Sequence, residues 1–210
     1  MPGPLLTGAS GPGIATALRR VANGHNGPRF AVADLLAALG DHGFGLLILA
    51  LALPNAVPGP MIPGFSVPFA FGIAALCLQI AAGRPTPWLP RRVAQLSMKH
   101  ERFRSLIDRA EPLLLRIERW LRPRSSLFTD SAGERLVGVA LVALSGVLAL
   151  PVPFGNSPVA FSIIIIALGL LEGDGLALML GVVAGLVAAV WNAVLIFAGA
   201  ELFVAAAHLA

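Results

Sequence analysis

Leu53 to Gly64 reads LPNAVPGPMIPG, four prolines set between two apolar runs, and the rest of the chain leaves few ways to accommodate it. In hydrocarbon every backbone N–H and C=O needs a partner supplied by the protein, so broken backbone is tolerated only where it is buried or lines an enclosed cavity. Prolines lessen that demand because each lacks an N–H. The chain is 57% hydrophobic and 12% charged, with a mean hydropathy of +0.83. That balance belongs to an integral membrane protein rather than a soluble domain.

The apolar runs flanking the break are short. Gly43 to Leu53 has about half of the roughly 20 residues a helix needs to cross a bilayer, and Pro54 is expected to end it. Phe65 to Ala82 is nearly long enough alone. The pair reads as a helical hairpin, either two tilted spans or a re-entrant loop that enters and leaves on one side. The second apolar half, Glu134 to Phe203, divides into Leu136 to Leu150, Ser157 to Leu171 and Leu176 to Phe197, the last a full span.

A repeat connects the halves. LALPVPFGNSP, Leu148 to Pro158, echoes LALPNAVPGP, Leu51 to Pro60, and each break precedes an apolar helix ending in similar text, AALCLQIAAG and IALGLLEGDG. Paired discontinuous segments in two halves point to a central site of the transporter kind, built here around Pro54, Asn55, Pro58, Pro60, Pro151, Pro153, Asn156 and Pro158. The alternative is two tight turns on the far side of the membrane. Asn55 and Asn156, with Ser66 and Ser157 nearby, would satisfy freed backbone groups or line a polar cavity. Gly181 and Gly185 form a small-xxx-small pair suited to helix packing ahead of dimerisation, and Asn192 reads as interhelical glue.

Between the halves the character changes. From Arg84 to Arg124 most of the basic residues gather, while Leu96, His100, Phe103, Ile107, Ala110, Leu114, Ile117 and Leu121 recur at steps of four and three. This spacing predicts an amphipathic region, split by Pro112 into two helices with a bend. Its arginines, Arg91, Arg92, Arg102, Arg104, Arg116 and Arg119 among them, are placed to meet anionic lipid headgroups. Trp88 and Trp120 suit the interface. A further amphipathic helix is predicted over Pro28 to Gly40. The expected organisation is a flexible segment over 1–27, the first hairpin unit over 28–83, the basic linker over 84–130, and the second hairpin with the final span over 131–210. Dense positive charge places the linker in the cytoplasm.

Little catalytic chemistry is legible. The four histidines are scattered, and neither HExxH, GxSxG nor a phosphate-cradling glycine loop occurs. Asp41 beside His42 reads as a solvated helix end, and Glu172 and Asp174 as loop acids or a helix cap rather than a proton site. Cys77 is the one cysteine and stands in an apolar run, which excludes an intrachain disulfide. A removable signal peptide is not expected, because Met1 to Gly13 lacks a basic flank leading into an apolar core. A net charge of +4 lying beside apolar spans favours lipid over nucleic acid, which is not expected as a partner.

Five motifs in order, GDHGFG (Gly40 to Gly45), GRPTPWLPRR (Gly83 to Arg92), ERWLRPR (Glu118 to Arg124), LPVPFGNSP (Leu150 to Pro158) and ALGLLEGDG (Ala167 to Gly175), resemble the ExoD family of bacterial membrane proteins. The likeness covers nearly the whole chain after about residue 28, with Met1 to Gly27 outside it. It implies a role in exopolysaccharide production or the cell envelope, in the bacterial inner membrane as a multi-pass protein, and it implies no catalytic residue. The expected fold is an all-α integral membrane protein: two helix–break–helix repeats (spans or re-entrant hairpins), an amphipathic basic linker and a C-terminal transmembrane helix. The expected function is non-enzymatic substrate movement or bilayer organisation, without cofactor or metal. The alternative is a homo-oligomeric scaffold that remodels or segregates lipid.

Overall fold

The computed structural model describes residues 40–56, 64–95, 97–121, 131–152 and 154–209, together with residues 16, 19, 29–31, 33, 34 and 36. The described elements are helical apart from one short antiparallel ladder, in which Arg29–Ala31 (β1) pairs with Ser97–Lys99 (β2). After a 3-10 turn at Gly40–His42 come Gly43–Ala56 (α1), Ser66–Ala81 (α2), the short Arg91–Ala94 (α3), His100–Trp120 (α4), Ser131–Leu148 (α5), Asn156–Glu172 (α6) and Gly175–Leu209 (α7).

Three sequence expectations are corrected. Pro54 does not end α1, which continues to Ala56. The proline leaves only the Ala50 carbonyl without its usual donor, and both residues are solvent- or lipid-exposed, so no buried group is orphaned. Pro112 likewise lies inside α4 rather than splitting it. Its missing bond falls on the Asp108 carbonyl, and Asp108 and Pro112 both face outward, where solvent can replace the lost donor. The predicted helix over Pro28 to Gly40 begins instead as strand β1, with helical backbone at residues 33, 34 and 36. The Asp34 carboxylate accepts from the Ala31 N–H at 3.1 Å, the reach-back bond of a capping box.

The core lies among α1, α2, α5, α6 and α7, with Ile48, Ile73, Leu141, Leu148, Ile163 and Leu178 fully buried. Its most extensive packing joins α1 to α6, α2 to α5, and α6 to α7. The helices before and after each proline-containing segment therefore pack across to the other pair, α1 on α6 and α2 on α5. Glycines permit this closeness: a Cβ on Gly45 would meet the Ala167 carbonyl oxygen at 2.9 Å, and one on Gly138 would meet the Ala81 nitrogen at 2.7 Å. Such backbone approach gives these apolar helices close van der Waals packing.

These contacts also set direction. Gly45 near the start of α1 touches Ala167 and Leu171 near the end of α6, and Gly138 in α5 touches Cys77 and Ala81 at the end of α2. Both pairs run antiparallel, so the ends of α1 and α5 and the starts of α2 and α6 gather at one pole. Gly173, at φ +63°, closes α6, and α7 turns back along it.

Among the described residues one helix is long and apolar enough to cross a bilayer: the Gly175–Glu201 stretch of α7, 27 residues of hydropathy 2.3, mostly unburied by the rest of the chain. Leu186, Val187, Val190 and Phe197 all stand exposed on it. An uncovered apolar face of that length suits lipid rather than water. Helices α1, α2 and α6 are apolar but shorter, at 14, 16 and 17 residues.

Candidate functional site

The pole where four helix ends gather contains both proline breaks. At the first break Pro54 is exposed, while Asn55 is 5% exposed and donates through Nδ2 to the Leu51 carbonyl at 3.2 Å. The chain is described again at Gly64, whose φ of +85° turns it into α2, and its carbonyl accepts the Val67 N–H at 3.1 Å. Ser66, the first residue of α2, is buried. Pro58, Pro60 and Pro153 lie outside the described residues.

The second break is tight. Leu150 N–H donates to the Val147 carbonyl, Val152 N–H to that of Leu150 and Gly155 N–H to that of Val152, so successive turns follow α5 with the exposed Pro151 among them. Phe154 adopts φ 61°, a left-handed conformation that costs a non-glycine residue on the order of 1 kcal/mol or more, and its ring points outward. Pro158 stands in the first turn of α6, where the missing N–H interrupts no helical bond.

A side-chain bond joins the two breaks: Asn156 Nδ2 donates to Ser66 Oγ at 2.6 Å. Asn192, 1% exposed in the middle of α7, donates through Nδ2 to the Gly155 and Ala188 carbonyls, both at 2.9 Å. Gly155 is in close contact with Asn192 Oδ1, leaving no room for a Cβ. Asn55 belongs to the same pole, because antiparallel packing sets the last turn of α1 beside the first turns of α6. Sequence reasoning named Asn55 and Asn156 with Ser66 beside them, but not the bond that joins Ser66 to Asn156, and it read Asn192 as glue between helices rather than part of the site. The signal available for that bond was the place of Ser66 as first residue of the helix after the break, the place Asn156 holds in the second half.

The remaining residues singled out in the sequence lie elsewhere. Gly181 and Gly185 face inward within the chain, against Ile166 and Leu144. Arg91 and Arg92 are exposed on α3, and Arg102, Arg104, Arg116 and Arg119 on α4. Of the expected inward face of α4, Ile107 is buried, whereas Leu96 and the side chains of Phe103, Leu114 and Ile117 lie outside what is described. The linker also touches what precedes α1: β2 pairs with β1, and Arg19 of the leading segment bonds Glu111 at 2.7 Å. That ion pair is partly exposed and contributes on the order of 1 kcal/mol at most. Exposed Trp88 is held through its backbone, donating its N–H to Gln79 Oε1 at 2.6 Å and accepting from Gln79 Nε2 at 3.2 Å. Asp174 caps α7: its Oδ1 accepts the Leu176 and Ala177 N–H groups at 2.9 and 3.3 Å. Among the described residues no group of three or more His, Cys, Asp or Glu side chains could hold a metal ion.

The family model described as "Exopolysaccharide synthesis, ExoD" matches residues 14–194. The chain belongs to the ExoD family. The match begins ahead of residue 28, so the later part of the leading segment shares the family pattern. The chain is 34% identical over 151 residues to the uncharacterized protein slr1875 of Synechocystis sp., covering 71% of each chain. It is 30% identical over 154 residues to Protein ExoD of Rhizobium meliloti, covering 71% of this chain and 63% of that one. No solved structure matches it.

Proposed function

We propose that this ExoD-family chain is an integral protein of the bacterial cytoplasmic membrane, crossing it with α7, in which two repeated hairpins enter from the cytoplasmic side and meet tip to tip. There they guide a polar component of exopolysaccharide production through or within the bilayer, by positioning rather than by covalent catalysis. The bond from Asn156 to Ser66 carries this reading, since it ties one break to the other.

A correspondence of 90 positions supports the repeat. Ser66, Pro68, Ala70, Phe71, Ile73 and Gly83 correspond to Asn156, Pro158, Ala160, Phe161, Ile163 and Gly173. Buried Ala70, Ile73, Leu76, Cys77 and Ile80 of α2 correspond to buried Ala160, Ile163, Ile166, Ala167 and Leu170 of α6. Gly83 and Gly173 both take positive φ, at 73° and 63°. The tip bond thus joins equivalent positions of the two units.

Helix lengths favour re-entrant hairpins. At about 1.5 Å per residue, α7 rises about 26 Å from Gly175 to Asn192, which is level with the tips, and about another 14 Å to Glu201. With a hydrocarbon core of about 30 Å, placing Gly175 at one boundary leaves the tips about 4 Å short of the other, and placing Glu201 at a boundary leaves them about 14 Å short. Either placement keeps the breaks inside the membrane.

Orientation follows from the linker, whose arginines resist translocation. A cysteine at Ser105 should react with an impermeant thiol reagent only after lysis, whereas one at His208 should react on intact cells, both in a Cys77→Ala background. Labelling of Ser105 on intact cells would invert the topology. Substrate movement is tested by flux of lipid-linked or free oligosaccharide in reconstituted vesicles. The exposed arginines along α4 support a second reading, an oligomeric scaffold that gathers anionic lipid, for which vesicle reshaping without flux is the expected result.

A further inference from the structure

The tip cluster has an excess of acceptors. Oδ1 of Asn55, Asn156 and Asn192 are each buried with no hydrogen-bond partner among the described residues. Their amide nitrogens are engaged, to the Leu51 carbonyl, to Ser66 Oγ, and to the Gly155 and Ala188 carbonyls. For Asn55 and Asn192 this fixes the amide orientation, because a flip would set oxygen against a carbonyl oxygen. A buried amide oxygen without a donor is costly, and three of them at one pole call for a common ligand.

The three lie at the same pole of the helices. Asn192 Oδ1 rests on Gly155, next to Asn156, and Asn156 reaches Ser66 across the tips. Asn55 sits in the last turn of α1, which packs against α6. The C-terminal ends of α1 and α5 point to the same pole and add the negative end of two helix dipoles. The surroundings are apolar, with Ala52, Ala56, Ala70 and Val159 all buried.

We propose that the tip cluster is a binding site for a monovalent hard cation, sodium in particular. Amide and carbonyl oxygens are hard ligands suited to alkali and alkaline-earth ions. Calcium and magnesium generally require carboxylates, and the residues assembled here, Asn55, Ser66, Gly155, Asn156 and Asn192, supply only neutral oxygens. Helix C-terminal ends and unwound carbonyls are the groups that hold coupling sodium ions in transporters built from broken helices. The site rests on the tips packing together and is independent of whether any sugar moves.

The test uses the purified full chain in detergent, with thermal unfolding followed against sodium chloride while choline chloride holds ionic strength constant. A saturating, sodium-dependent rise in Tm is expected, weaker with potassium. Asn55→Leu removes one ligand and should raise the half-saturating concentration about tenfold. Asn55→Asp sets a formal charge beside the ion and should lower it by a similar factor. A Tm indifferent to cation identity in both the native chain and Asn55→Asp would overturn the site. A Ser66/Asn156 cysteine crosslink separates the two ideas: if it forms while sodium has no effect, the cation site fails alone, and if it does not form, the tip packing fails with it.

Discussion

Gly138→Ala should destabilise the protein, while Gly146→Ala in the same helix should not. A methyl on Gly138 would lie 2.7 Å from the Ala81 nitrogen and 3.1 Å from both the Ala81 Cα and the Cys77 carbonyl oxygen, all backbone atoms that cannot swing aside. The α2–α5 pair would have to separate, at about 1–3 kcal/mol for overpacking of this kind. Gly146 has nothing within 4 Å of its would-be Cβ, so there alanine gains up to about 1 kcal/mol of helix propensity with no clash. At about 2–4 °C per kcal/mol for a chain of this size, the two variants should differ by several degrees in detergent-solubilised unfolding. Equal Tm values would mean that α2 and α5 do not approach at this point.

The second large effect concerns the start of α7. Asp174→Ala removes the oxygen that accepts two N–H groups at the head of a 35-residue helix, in a position only 4% exposed. The expected loss is about 1–2 kcal/mol. Asp174→Asn keeps an equally good capping oxygen and should stay within about 0.5 kcal/mol of the native protein. A loss as large for Asn as for Ala would show that the charge itself matters, which would return Asp174 to the role of an ion or proton site.

The helices were legible because their apolar runs are long and the glycine and proline punctuation is dense: α2 and α6 fall within one residue of the expected runs, whereas α5 starts at Ser131 rather than Leu136 and α7 continues past Phe197 to Leu209. Pro54 and Pro112 misled for a common reason. Each costs its helix one hydrogen bond, but at both sites the residue whose carbonyl is left over is exposed, and exposure is a property of packing that no local rule contains. The start of β1 was hidden because its partner, β2, lies about 70 residues away in the linker. At the candidate site Asn55 and Asn156 stood out as polar residues beside prolines. Ser66 was noted beside them and Asn192 as glue between helices, but their partners were not legible, since each is distant in sequence: Asn156 is 90 residues from Ser66, and Gly155 is 37 from Asn192. Gly45 and Gly138 gave no local sign either, because a glycine in an apolar helix announces closeness without naming the partner.

The central claim is that the two breaks meet inside the membrane, and a cysteine pair at Ser66 and Asn156 in a Cys77→Ala background tests it most directly. Asn156 Nδ2 lies 2.6 Å from Ser66 Oγ, so a short bifunctional thiol reagent that enters the membrane should link the two cysteines within one chain in native membranes. Each single cysteine should also resist an impermeant thiol reagent from either side of the membrane. Free labelling of both positions with no intrachain crosslink would contradict the account and leave the prolines as two separate turns in water.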